Sequence, residues 1–201
     1  MTESGILKIY EEFKVPQNII SHMRMVAHVA QKIAEELIRN GHKIDLENLI
    51  NAALVHDALR VVDIKEDSLK KLAGNDGELS LWLGYKEKYK SIGHERAMSR
   101  ILKEKNENYL ANLVEKHGFF EISKLKTLEE KILYYSDKRV NHDKIVTLEK
   151  RFEEGKKRNM SPDDNMELVE KTETEVFALE KEFIELLKVQ SLDELWKITT
   201  H

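Results

Sequence analysis

Residues 52–60 read AALVHDALR. A run of small apolar residues, dense enough for a buried helix, ends in His56 and Asp57, and Arg60 follows one turn later. A core-facing helix has no packing reason to carry an imidazole and a carboxylate there. A buried ionised carboxylate costs several kcal/mol unless it is paired. A metal ion is one partner that removes the cost, and it would need ligands from elsewhere in the chain.

The apolar stripes point to such ligands. Leu46, Leu49 and Ala53 lead into His56 at helical spacing, with Asp45 placed to cap that helix. Upstream, Pro16 suits a first helical position and Gly41 a stop. Between them Ile19, Val26, Val29, Ala30, Ile33 and Leu37 form one face, and His22 falls inside it. Downstream, Leu110, Leu113 and Val114 lead into His117, and Gly118 ends that helix. Thr127 and Glu130 make a capping box for a helix whose stripe, Leu128, Ile132 and Leu133, continues into Asp137 and Val140. His22, His56, His117 and Asp137 are thus expected to point inward from four helices. Any one of them alone reads as a hydrogen-bonded core residue. Together they penalise one another unless a cation is present. Neutral imidazole with carboxylate suits Fe, Mn, Co, Ni or Zn. Neighbours on a helix diverge by about 100°, so His56 and Asp57 share an ion only if it lies between their directions.

The remaining pattern is also helical. Residues 5–13 form a short helix, and another begins at His94 after Gly93 and runs through Ile101 and Leu102. Ser161-Pro162-Asp163-Asp164 starts a long final helix reaching about Val189, with the seam Val169, Thr172, Val176, Leu179, Phe183 and Leu186. That seam either packs on its own domain or forms a homodimer interface. The irregular part is 63–92, where Gly74-Asn75-Asp76-Gly77 marks a loop and Trp82, Tyr85 and Tyr89 share a short helix. It reads as a lid or pocket wall whose aromatics either stack on a base or simply pack. No strand pattern is visible. The fold class is all-α: one domain over 1–201, with a core at 16–155 and a C-terminal helical extension at 161–198.

Composition sets the class. Hydrophobic residues are 41 % and charged residues 35 % of the 201, which is globular. The net charge of −4, with signs interspersed, argues against a nucleic-acid surface. With no cysteine, disulfides and thiolate metal sites are excluded. No apolar run approaches the ~18 residues of a membrane span, and MTESGILKIYEEF has no signal-peptide character. The expectation is a cytoplasmic protein.

The ordered series His22, His56-Asp57, Asp137 resembles the HD-domain metal-dependent phosphohydrolases. SHMRMVAHVA is similar to the family's first-histidine helix, AALVHDALR to its namesake motif, and LEEKILYYSDKRV to the helix of its last aspartate. The resemblance covers about residues 16–155 and implies a helical bundle holding one or two divalent ions, Fe or Mn first, with Zn, Co, Ni or Mg as alternatives. His94 and His117, lying between doublet and last aspartate, are similar to the two-metal subset that includes HD-type diadenosine tetraphosphate hydrolases. On that resemblance His22, His56, Asp57 and Asp137 hold one ion, His94 and His117 the second, and Asp57 bridges. Asp57 and Arg60 are the candidate catalytic residues. One departure is Arg60, where many members carry lysine. Arginine still binds phosphate but cannot give up a proton at neutral pH.

The reaction expected is hydrolysis of a phosphate ester or anhydride, of a nucleotide or dinucleoside polyphosphate, by metal-activated water. Arg60, Lys138 and Arg139 are the candidate substrate-binding cations, although Arg139 has the alternative of pairing with an acidic neighbour. The alternative function is a metal-bound nucleotide-sensing module without turnover. A plain helical interaction domain would bind no stoichiometric metal.

Overall fold

The computed structural model describes residues 1–159 and 165–196. The elements in order are α1 Glu3–Glu12, α2 Gln17–Arg39, α3 Leu46–Val55, α4 Glu66–Leu72, α5 Asp76–Tyr89, α6 Gly93–Glu104, α7 Asn108–Glu115, α8 Leu128–Lys138, the strands β1 Val140–Asn141 and β2 Lys144–Ile145, α9 Leu148–Asn159 and α10 Met166–Leu187. Short 3-10 segments lie at Arg60–Val62, Phe119–Lys124 and Leu192–Trp196.

The centre of the bundle is α2. Ile19, Met23, Val26, Val29, Ala30, Ile33 and Leu37 recur along one face and are all buried. Each fully buried aliphatic side chain contributes roughly 1.5–3 kcal/mol. That face packs on α3 and α8, and α3 in turn packs on α7. Pro16 stands one place before the helix, as its N-cap. Asp45 caps α3 by accepting from the Asn48 amide at 3.2 Å, and Thr127 with Glu130 closes the capping box of α8.

The C-terminal helix belongs to the same core. Thr172, Val176, Leu179, Phe183 and Leu187 of α10 are buried, and α10 contacts α8, α2 and the 119–124 turn. Four of the six expected seam residues, Thr172, Val176, Leu179 and Phe183, are therefore used within the chain. The helix start expected at Ser161-Pro162-Asp163-Asp164 lies outside the described residues. Asn165 caps α10, its side chain accepting from the Leu168 amide.

Three further expectations need correction. The stretch 63–92 is α4 and α5, ordered helices whose apolar periodicity is thin: only Leu69 is buried in α4, and only Trp82 and Tyr89 in α5. Trp82 donates to the Phe13 and Lys14 carbonyls at 3.2 Å, and Tyr85 packs edge-on against Phe13. These aromatics pack the core and do not face the site, so neither lid nor base platform is formed here. Residues 148–159, unassigned in the sequence reading, form the amphipathic helix α9, burying Leu148 and Phe152. Finally, β1 and β2 pair antiparallel with Val140 opposite Ile145. Two residues per strand are too few to show a period of two. Among the described residues, no helix is long and apolar enough to cross a membrane.

Candidate metal centre

The helix ends, more than the helix faces, build the site. α3 stops at Val55, so His56 and Asp57 lie in the turn beyond it. His56 Nδ1 donates to the Ala53 carbonyl at 2.7 Å, satisfying an acceptor that the helix leaves open. His117 repeats the arrangement past the end of α7, its Nδ1 donating to Val114 O at 2.5 Å. Both members of the doublet reach the centre, with His56 Nε2 3.9 Å from Asp57 Oδ2. Lys86 of α5 holds this turn from behind, with Nζ 2.9 Å from the Val62 and Ile64 carbonyls. His22 lies mid-helix on α2 and donates Nδ1 to the His142 carbonyl at 2.9 Å. Gly93, at φ +76°, makes the turn that feeds His94 into α6.

A carbonyl can only accept, so these three imidazoles carry a proton on Nδ1 and, when neutral, direct an Nε2 lone pair inward. Those lone pairs meet carboxylate oxygens. His22 Nε2 is 3.0 Å from Asp137 Oδ1 and 3.8 Å from Asp57 Oδ2. His56 Nε2 is 3.6 Å from Asp137 Oδ1 and 3.9 Å from Asp57 Oδ2. On the other side of Asp57, Oδ1 is 2.8 Å from His94 Nε2 and 3.4 Å from His117 Nε2. Asp57 thus offers one oxygen to each of two clusters. Acceptor facing acceptor is repulsive unless a proton or a metal ion stands between them. His56 Nε2 is fully buried and has no hydrogen-bond partner among the described residues. An orphaned, inward-facing imidazole nitrogen among carboxylates fits a metal ion.

His94 is oriented differently. Its Nδ1 makes a short contact with Asp63 Oδ2, and Arg60 lies against the ring, with Nη1 3.1 Å from Nε2. A carboxylate behind a ligand imidazole fixes its orientation and raises its basicity. Two groups, His22-His56-Asp57 and Asp57-His94-His117, have donor atoms close enough to hold an ion, and Asp63-His94-Glu95 forms a third.

The electrostatics are those of an anionic cluster short of cations. For Asp57, burial pushes the carboxyl up, but His56, His94 and Arg60 hold it well below the usual range. For Asp137 the same opposition is won by Lys138 and His22. Burial and Arg60 push His94 down, yet Asp57 and Asp63 lift it to about 9. Burial holds His117 below the usual imidazole range. Protons are here doing what a divalent ion does better.

The cations divide. Lys138 Nζ is 2.6 Å from Asp137 Oδ2 and 2.9 Å from the His117 carbonyl, and both Lys138 and Arg60 line the cavity above the cluster. Arg139 does not reach it. It is buried among the Tyr135 hydroxyl, Glu180 and Asp193, which corrects its reading as a substrate ligand. The sequence reading missed Asp63, the His142 carbonyl and the cavity wall. The first two left no periodic signal, since Asp63 is in a turn and His142 acts through its backbone. The cavity, about 490 Å³, has the cluster as its floor, and Phe119, Phe120, Phe152, Leu168 and Arg151 are among its wall residues.

A family model described as HD domain matches residues 19–141. No curated protein and no solved structure matches the chain.

Proposed function

The chain belongs to the HD domain family, and on that premise we propose that it hydrolyses a phosphate ester or anhydride of a nucleotide or dinucleoside polyphosphate at a two-metal centre. The family is one of metal-dependent phosphohydrolases, and the His/Asp groups of this chain can hold metal. The substrate, the number of ions and the residue roles are our reading. The observation that carries it is Asp57 with one oxygen directed to each histidine pair.

In this reading His22, His56, Asp57 and Asp137 would hold one ion, and Asp57, His94 and His117 would hold the other. Divalent ions in such a centre lower the pKa of a water and neutralise phosphate charge. The protein's own groups do the rest. The carbonyls of Ala53, Val114 and His142 keep three Nε2 atoms aimed inward. Lys138 balances Asp137 and keeps it ionised. Arg60, always cationic, binds a phosphate oxygen and gives up no proton. Phe119, Phe120 and Phe152 exclude water from one wall and provide surfaces for an aromatic base. Imidazole with carboxylate suits Fe, Mn, Co, Ni or Zn, and the family resemblance puts iron or manganese first.

A sensor without turnover is the second reading, favoured by the engagement of Lys138 with Asp137 and of Arg60 with His94. One experiment separates the two. Elemental analysis of the protein as isolated is followed by phosphate release from a nucleotide panel, with iron or manganese, under reducing and oxidising conditions. Metal with turnover supports hydrolysis. Metal without turnover on any compound supports the sensor. Absence of stoichiometric metal overturns both.

A further inference from the structure

The cavity has more positive charge than the metal centre uses. Among the described residues, four lysines and arginines line it: Arg60, Lys138, Arg151 and Lys156. Three are engaged. Arg60 lies on His94, Lys138 is paired with Asp137, and Lys156 Nζ is 2.7 Å from Glu173 Oε2. Arg151 of α9 is the exception. Its Nε donates to the Val140 carbonyl at 3.1 Å, and no carboxylate of the described residues is paired with it. That bond orients the guanidinium and leaves its terminal nitrogens for another acceptor.

One turn along the same helix face is Gly155, also on the cavity wall. Glycine is disfavoured inside a helix. Nothing in the packing asks for it: an added Cβ would meet only Arg151 Nη1, at an ordinary 3.8 Å. The missing side chain leaves room in the cavity beside a guanidinium that no carboxylate of the described residues pairs.

We propose that Arg151 and the gap at Gly155 form an anionic subsite that receives a second phosphate of the substrate, beyond the one over the metal centre. This rests on the hydrolase reading and narrows it to substrates with at least two phosphates in a row. A planar guanidinium grips a phosphate through two parallel hydrogen bonds, which lysine cannot reproduce.

The test uses the metal-loaded full chain and two probes, imidodiphosphate (a non-hydrolysable diphosphate) and orthophosphate, followed by calorimetry. Arg151→Ala should weaken imidodiphosphate about 10- to 100-fold and orthophosphate far less. Arg151→Lys should recover part of the loss, with metal content equal in all proteins. Gly155→Leu, which favours the helix, should also weaken imidodiphosphate. Equal losses on both probes, or none, overturn the subsite. The two readings fail separately. Arg151-dependent imidodiphosphate binding with no turnover of any nucleotide sinks hydrolysis and keeps the subsite. Turnover with Arg151-indifferent binding does the reverse.

Discussion

Stripped of metal, the protein should lose stability as the pH rises from 6.5 to about 9. The reasoning starts from His94, which is buried. Burial and Arg60 oppose its charge, but Asp57 and Asp63 outweigh them and lift it from 6.5 to about 9. A raised folded-state value means that the native protein binds a proton more tightly than the unfolded chain. That stabilisation is complete below 6.5 and is lost as pH passes about 9. The gap corresponds to about 3 kcal/mol, or a fall of roughly 6–12 °C in Tm for a chain of this size. Asp57 and Asp137 act at the other end: their values are depressed, so their contribution is present above the usual carboxylate range and fades only in strong acid. Urea unfolding in chelator across this window measures the slope directly. Asp57→Asn removes the charge that holds the His94 proton, so its profile should be flatter. The loaded protein should lack the slope too, because the metal replaces the proton. A flat profile for the stripped wild type, or an unchanged slope in Asp57→Asn, would refute the picture of an anionic cluster short of cations.

Other outcomes follow from the same geometry. Asp57→Ala should abolish the His94–His117 ion, which keeps only two ligands, and weaken the other; full metal content by elemental analysis would contradict bridging. Asp63→Asn should lower metal affinity on the His94 side alone, by about 10- to 100-fold, measured by competition with a chelator. Arg139→Leu should cost about 2 kcal/mol by urea unfolding, below the usual buried-pair penalty because Asp193 is 47 % exposed, and should leave metal content unchanged; lost metal would put Arg139 back in the site. Trp82→Phe should cost about 1–2 kcal/mol without raising KM for any nucleotide, since Trp82 packs against the Phe13 end of α1.

Four of the residues that converge, His22, His56, His117 and Asp137, were legible because each continued an apolar stripe; Asp57 was legible as the neighbour of His56, and His94 only through the family resemblance. His22 and Asp137 are on their helices as periodicity suggests. His56 and His117 were placed on stripes too, but they lie just past the helices and turn their rings back to cap them. Periodicity cannot distinguish a last helical residue from the one after it. It also failed at α4 and α5, which bury too little to show a face. Arg139 misled because adjacency to Asp137 was the only clue; its partners Glu180 and Asp193 come from the far end of the chain. Arg151 was invisible for the same reason, since its meaning depends on which acids fail to reach it.

The bond between His22 and the His142 carbonyl has one more consequence. His142 is in the left-handed region, at φ 57°, at the tip of the small hairpin. A backbone kink late in the chain therefore chooses the tautomer of a ring near its beginning. A protease nick at that tip would leave every donor atom where it was, yet let the ring exchange which nitrogen carries hydrogen. The protein would look intact by shape and hold a metal ion at that ring about 10- to 100-fold less tightly.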